Sequence, residues 1–491
     1  MSYSYAISGV MDVDQRWDAL PGDGAMYCVP AAFVNWMYYF ATHGRLTALP
    51  FVNGQANHIR RNIAAMGDYM DTDAQDGTST SDAIDGLVDW SEDRNVPYLV
   101  MSARATDNDD IRYTSLRNLL QMGAHVVVGR GRYELDDGVF ERIGGHAMTV
   151  VGLNRTAAGV ITISVHNPNN NGSRTTQDPR HVQSEVLTEK TRNIEGDSVT
   201  ILRWGADSVN PPYHCIDGWT ALLPAFAVSN VTARALTGYT ADIATGAIVE
   251  RTFPLPFGDE LADLALDPSG PLVSVIAKGS GEVWTLDRID GTWTKVAGVA
   301  GAQRLVYGGR RQRLFVVAGR EVTALDRDLK PVGRLDPGVA LDAITYDAAD
   351  NRIVGLGGDK LIGLDPAALR VLGQVDAPEV AGAGRITLSA NRRDRTVLIS
   401  REGSPEVATA RWSGSGRRFR LRTEGASAGA HVNAKGRVHV SDDRRIATFD
   451  ADGVRVPGSV FDGLPAGPLL KVARSNNPLD PVRSRRKGWR D

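Results

Sequence analysis

Tyr27-Cys28-Val29-Pro30-Ala31-Ala32-Phe33-Val34-Asn35-Trp36-Met37 places a cysteine at the start of a buried helix. Pro30 suits the first helical turn, where a missing N–H costs little. Phe33, Trp36, Met37 and Phe40 fall at i, i+3, i+4 and i+7, one face of a helix, and His43-Gly44 ends the pattern. A thiol at a helix N-terminus feels the positive end of the backbone dipole, which favours the thiolate. To act as a nucleophile it also needs a base.

Upstream, residues 1–27 are irregular, with Gln15 and Trp17 ahead of the turn-rich Leu20-Pro21-Gly22-Asp23-Gly24. Downstream come helical patterns around Ala56–Gly67, after Ser81 as N-cap, and over Thr114–Met122. The period then changes to that of strands: His125–Gly129, Ala147–Leu153 directly after Gly144-Gly145-His146, and Val160–Val165 ending at His166-Asn167-Pro168. Helices first and a sheet afterwards predict an α+β domain over residues 1–226.

From about Ala227 predicted helix almost vanishes. An apolar strand ending in Asp, followed by a turn, recurs at Asp242, Asp287, Asp326, Asp365 and Asp450, with a degenerate copy at Trp412. The intervals are 45, 39, 39, 47 and 38 residues. A period of about 40 with several strands per unit is the signature of a β-propeller. Six copies predict six blades over 227–475, and the strand Leu469–Ala473 is expected to complete the first blade. Residues 476–491, with Arg483-Ser484-Arg485-Arg486-Lys487, read as a basic flexible tail.

The strand pattern supplies the base. His146 opens one strand and Asn167 ends the next, so adjacent antiparallel strands can bring the two side chains together. An amide oxygen there would fix the orientation and tautomer of the ring. His166 competes, but alternation turns it to the opposite face from Asn167. His125 reads as a satisfied core histidine, and Cys215 as a structural thiol. Asp71-Thr72-Asp73-Ala74-Gln75-Asp76-Gly77 has its glycine one place late for a calcium loop and reads as a solvated loop.

These motifs, over about residues 10–225, resemble papain-like cysteine peptidases and look most like the bacterial C39-like branch. The carrying residues are Cys28-Val29-Pro30-Ala31-Ala32, then Gly145-His146-Ala147-Met148-Thr149-Val150-Val151-Gly152 opening 118 residues after the cysteine at His146, and Asn167-Pro168. The resemblance implies a papain-like fold and a Cys28/His146/Asn167 triad. The family has a glycine where Val29 stands and a glutamine about six residues ahead of the cysteine, where position 22 is Gly. The nearest upstream glutamine is Gln15, which the resemblance assigns to the oxyanion hole through a bulged Gly22–Gly24 loop, beside the Cys28 N–H.

The bulk properties fit a protein of two or three domains. There are 491 residues, 42% apolar and 23% charged, with a net charge of −3. Nothing in that balance points to nucleic acid or a membrane surface, and no run of 18 apolar residues is present. Met1-Ser2-Tyr3-Ser4-Tyr5 lacks the features of a signal peptide, so a cytoplasmic location is expected, with secretion by another route left open. Two cysteines exclude a disulfide framework and a cysteine-rich zinc site. No cofactor or metal is expected. The leading expectation is a cysteine peptidase hydrolysing peptide bonds in a protein or peptide substrate, with the propeller as a protein-binding module. Two alternatives stay open: acyl transfer (transglutamination, deamidation or ligation) by the same triad, and a non-catalytic interaction protein.

Overall fold

The structure is a computed structural model. It describes residues 2–94, 96, 98–169, 175–176, 182–205, 211–232, 234–267, 271–308, 313–326, 328–347, 350–380, 384–391, 395–404, 406–412, 416–420, 429–432, 438–441, 446–450, 453–456 and 470–472. The basic tail lies outside them. The chain divides into two compact units, Met1–Pro224 with Asp242–Ala247, and Ala225–Ala241 with Ile248–Asp491.

In the first unit, β1 (Tyr3–Ala6) and β2 (Asp12–Val13) precede α1 (Cys28–Thr42), α2 (His58–Tyr69) and α3 (Thr80–Asp93). β3 (Tyr98–Arg104) and α4 (Tyr113–Gln121) follow. Then come β4 (His125–Asp136), β5 (Val139–Arg155), β6 (Ile161–His166), β7 (Thr175–Thr176), β8 (Val182–Ile194), β9 (Asp197–Trp204) and β10 (Tyr213–Thr232). Antiparallel pairings run β4–β5–β6–β8–β9–β10 and return from β10 to β4, so six strands close into a barrel. β1 adds to β5 and β3 adds to β10.

This corrects the expectation of an α+β papain-like domain. Strand makes up 50% of the described residues and helix 15%, with four α-helices. The reason is visible in β8, which gives no apolar run that reads as a strand. Val182–Ile194 carries polar residues through an exposed, half-buried alternation, and is held by its ladders to β6 and β9. β5 also runs back through Gly144-Gly145-His146 to Val139, where the sequence suggests a turn.

β5 divides two cores. Ala147 and Val151 pack with the helices, alongside Phe33, Trp36, Met37 and Phe40 of α1. Met148 and Val150 point into the barrel. This is the two-residue alternation of a strand buried on both sides. A buried polar relay fixes α1 to β5. Asn35 Oδ1 accepts from Val13 N at 2.9 Å, its Nδ2 donates to Thr149 Oγ1 at 3.0 Å, and that hydroxyl donates to Ala32 O at 2.8 Å. Each partner satisfies another, as buried polar groups must. At α3 the cap is Ser79 rather than Ser81. Its Oγ accepts from Asp82 N and also donates to the Asp82 carboxylate, a reciprocal capping pair.

The second unit is all-β and propeller-like. Its first sheet joins the end of β10 to β11 (Ala235–Ala241) and β12 (Ile248–Pro254). Four-stranded meanders follow. The first is β13 (Leu261–Leu266), β14 (Leu272–Ala277), β15 (Val283–Asp287) and β16 (Trp293–Lys295), and the second is β17 (Arg304–Gly308), β18 (Arg313–Ala318), β19 (Glu321–Leu325) and β20 (Pro331–Leu335). The third is β21 (Ala343–Asp347), β22 (Arg352–Gly357), β23 (Lys360–Asp365) and β24 (Arg370–Asp376), and the fourth is β25 (Ile386–Asn391), β26 (Thr396–Arg401), β27 (Glu406–Arg411) and β28 (Gly416–Arg420). β29 (Gly429–Val432), β30 (Val438–Ser441) and β31 (Ile446–Phe449) form a further sheet. β32 (Leu470–Val472) pairs with Ala227–Ser229 of β10, so the unit's last described strand completes its first sheet, as the sequence leads one to expect.

The repeated Asp has a local task. Asp287 Oδ1 accepts from Ile289 N. Asp326 Oδ1 accepts from Asp328 N and Lys330 N, and Asp365 Oδ1 from Ala367 N and Ala368 N. Each carboxylate holds the turn that follows its strand.

Candidate functional site

Cys28, His146, Asn167 and Gln15 line one cleft of about 1000 Å³ in the first unit. Cys28 begins α1, and the N–H groups of Cys28 and Val29 face its own sulfur. Both belong to the first turn, where amides lack intrahelical acceptors. The Ala147 N–H reaches the same sulfur from β5, which puts the thiol beside the residue following His146.

His146 Nε2 and Asn167 Oδ1 are 2.6 Å apart. The amide of Asn167 has a fixed orientation, because Nδ2 donates to Gln183 Oε1 at 3.1 Å while Oδ1 also accepts from Asn169 N. His146 therefore carries its proton on Nε2 when neutral, which leaves Nδ1 as a base. Gln183 lies on β8, whose polar, half-exposed sequence carries no local signal of a strand.

Electrostatics set the resting state. Burial pushes the Cys28 thiol up, and the three N–H groups and the Arg142 guanidinium only partly oppose it. Burial pulls His146 down to about 4; the Asn167 bond opposes this, while Arg130 and Arg16 add to it. Burial thus disfavours both charged forms, the Cys28 thiolate and the His146 imidazolium, and works against the helix-start N–H groups that favour thiolate.

Gln15 arrives where the resemblance puts it but faces another way. Gly22, Asp23 and Gly24 all take positive φ, of 60°, 52° and 73°, and fold the loop back over Gln15. A Cβ on Gly24 would overlap the Gln15 carbonyl. Gln15 Nε2 donates to Gly24 O at 3.0 Å and Ala25 O at 2.7 Å, which uses both of its N–H groups. Flipping the amide would set oxygen against two carbonyls. Gln15 N also donates to Pro168 O at 2.8 Å, so the residue ties the Gly22–Gly24 loop to the Asn167 turn.

Of the remaining sequence candidates, the histidines and Cys215 lie outside the cleft lining. His166 Nδ1 bonds Met11 O at 2.9 Å and is buried. His125 sits among Trp36, Tyr39 and Phe40, pulled down to about 4 by burial, and its Nδ1 has no hydrogen-bond partner among the described residues. It is a core histidine, but not a satisfied one. Cys215 is buried in the barrel, and both cysteines are free. The loop Asp71–Gly77 forms one wall of the cleft. Asp73 Oδ1 accepts from Gln75 N and Asp76 N within that loop.

No protein-family model matches this sequence, and no curated protein does. Solved structures match at low similarity. A protein of unknown function from Bacteroides caccae is 13% identical, with 51% of this chain and 99% of that chain covered and a TM-score of 0.38. A nidogen/laminin complex gives 12% identity, 52% and 99% coverage and a TM-score of 0.40. Hydrazine synthase from Kuenenia stuttgartiensis gives 12%, 45% and 72%, and 0.36.

Proposed function

We propose that the first unit is a cysteine hydrolase acting on peptide bonds. The observation that carries this reading is the 2.6 Å bond from His146 Nε2 to an Asn167 amide of fixed orientation, in the cleft where Cys28 begins α1. The order of nucleophile, base and orienter along the chain also resembles papain-like cysteine peptidases. As the Cys28 sulfur bonds to the substrate carbonyl carbon, the thiol proton passes to His146 Nδ1. The oxyanion meets the helix-start N–H of Cys28. His146 returns the proton to the leaving amine, and water, deprotonated by the same nitrogen, cleaves the thioester. The second unit acts as a protein-binding module that presents the substrate.

A selective thiol probe tests this directly. Cys28 is alkylated at neutral pH, Cys28→Ala removes peptide turnover, and His146→Ala lowers it by about 10²–10⁴. Unchanged turnover in Cys28→Ala would sink the reading. A second reading, a non-catalytic interaction protein, is favoured by the Gln15 amide, whose N–H groups are committed to carbonyls. A folded protein whose Cys28 ignores the probe supports that one instead. Acyl transfer differs only in the nucleophile that meets the thioester, and product masses with an added amine distinguish it.

A further inference from the structure

We propose that Arg142 is a specificity-determining residue that selects substrates carrying a carboxylate on a residue next to the scissile amide. This rests on the hydrolase reading of the same cleft. Arg142 and His146 are four apart on β5, so a regular strand would put them on one face. The pairing shifts between Arg132↔Gly144 and Tyr133↔Arg142, and Ile143 is the extra residue. That bulge turns Arg142 onto the face shared by Gly145 and Ala147. A second shift, at Asp217 in β10, aims a carboxylate at the same place. Asp217 Oδ2 accepts from Arg142 Nε at 2.6 Å and from Tyr133 OH at 2.9 Å.

The sheet is cleared for this pair. A Cβ on Gly131 would overlap the Asp217 carboxylate, and one on Gly145 would overlap the Arg142 guanidinium. Asp217 is almost fully buried, while the Arg142 side chain keeps 26% exposure and lines the cleft. Only Nε is engaged. Among the described residues the terminal nitrogens make no hydrogen bond, so an anchored guanidinium offers its outer edge to the cleft. Guanidinium edges of this kind bind carboxylates.

Position along β5 sets what it can reach. The thiol lies at the Ala147 N–H and the guanidinium over Gly145, two residues away, or about 7 Å. That is too far to touch an oxyanion at Cys28. It suits a group one residue removed from the attacked carbonyl: an acidic side chain or a free terminal carboxylate.

Reagents that need only the thiol separate this inference from the hydrolase reading. Iodoacetylglycine, iodoacetyl-aspartic acid α-amide and neutral iodoacetylglycinamide each form an S–C bond and expel iodide, and Cys28 labelling rates are read by mass spectrometry. At least one anionic reagent is expected to react roughly tenfold faster than the neutral one. The first indicates a terminal carboxylate, the second a side-chain carboxylate. The preference disappears in Arg142→Met, and in Arg142→Met/Asp217→Asn, which avoids a lone buried charge. Arg142→Lys keeps part of it. Anionic reagents no faster than the neutral one, or a preference that survives Arg142→Met, would overturn the inference even if peptides are cleaved. A preference without peptide turnover would overturn the hydrolase reading alone.

Discussion

The cleft of the first unit and the sheets of the second use polar side chains in opposite ways. In the sheets one polar residue recurs, and each copy bonds the turn beside it: Asp287, Asp326 and Asp365 find partners two to four residues away. In the first unit, apart from the rim at Asp73 and Ser79, whose bonds are local, the polar residues in and behind the cleft bond far along the chain. Asn35 meets Thr149 across 114 residues, and Tyr133 meets Asp217 across 84. A repeated polar residue with a local partner is a folding device. A singular one with a remote partner holds several elements in a single arrangement, and that is what a chemical site requires.

The comparison breaks first at Cys28. Cys28→Ala is expected to remove all peptide turnover. His146→Ala lowers it by about 10²–10⁴ through loss of proton transfer. Both variants keep the circular dichroism of the wild type, because neither residue carries the relay from Asn35 to Thr149. Full turnover in either would mean that the remote bonds of the cleft are structural, like the local ones of the sheets.

Next in size is the response to acid. His146 and His125 both lie near 4 in the folded protein, against about 6.5 when unfolded. Between those values the unfolded chain binds more protons, so stability is full above about 6.5 and falls as pH drops toward 4. His125→Phe is expected to flatten that slope in pH-dependent urea melts, with a gain of the order of 1 kcal/mol or more at pH 5. The turnover of the wild type should keep its acid limb near 4. An acid limb at 6.5 would show an imidazole that burial does not control.

The sequence made the repeated part legible and the singular part half so. A period near 40 with a terminal Asp needs no tertiary information, since the carboxylate and its turn are neighbours. Cys28 and Asn167 could be read because a helix start and a strand end leave local signals, and His146 through the two glycines before it, although it lies inside β5 and does not open a strand. Gln183, Arg142 and Asp217 could not. Gln183 lies on a strand without an apolar run, and the other two meet only because bulges at Ile143 and Asp217 change the side they face. Bulges leave no period in a sequence. The same blindness hid part of the barrel: β8 is half-exposed and held by its ladders to β6 and β9 rather than by an apolar run, so the strand content of the first unit is under-read.

Gln15→Ala sharpens the line between the two regions. With its amide bonded to Gly24 and Ala25, the residue acts on the loop more than on the reaction. Removal should lower stability by roughly 1–3 kcal/mol, because buried carbonyls lose their donors. The fall in kcat should stay below about tenfold, whereas an oxyanion donor would cost about 10²–10³. A loss in that larger range with unchanged stability would mean that the amide turns to the oxyanion when substrate is bound.

The smallest effect belongs to the second unit. Asp365→Ala removes the acceptor of two turn N–H groups that water can reach, so the loss should be about 1 kcal/mol. For a unit of this size that is about 2–4 °C in its melting transition. Asp365→Asn keeps an acceptor oxygen and should recover most of it, which a purely electrostatic role would not allow. Cys28 labelling should be unchanged in both variants, because the bonds of Asp365 do not leave its own turn. A change in labelling would show that a repeated residue also bears on the cleft, and the contrast between local and remote partners would then fail at its simplest point.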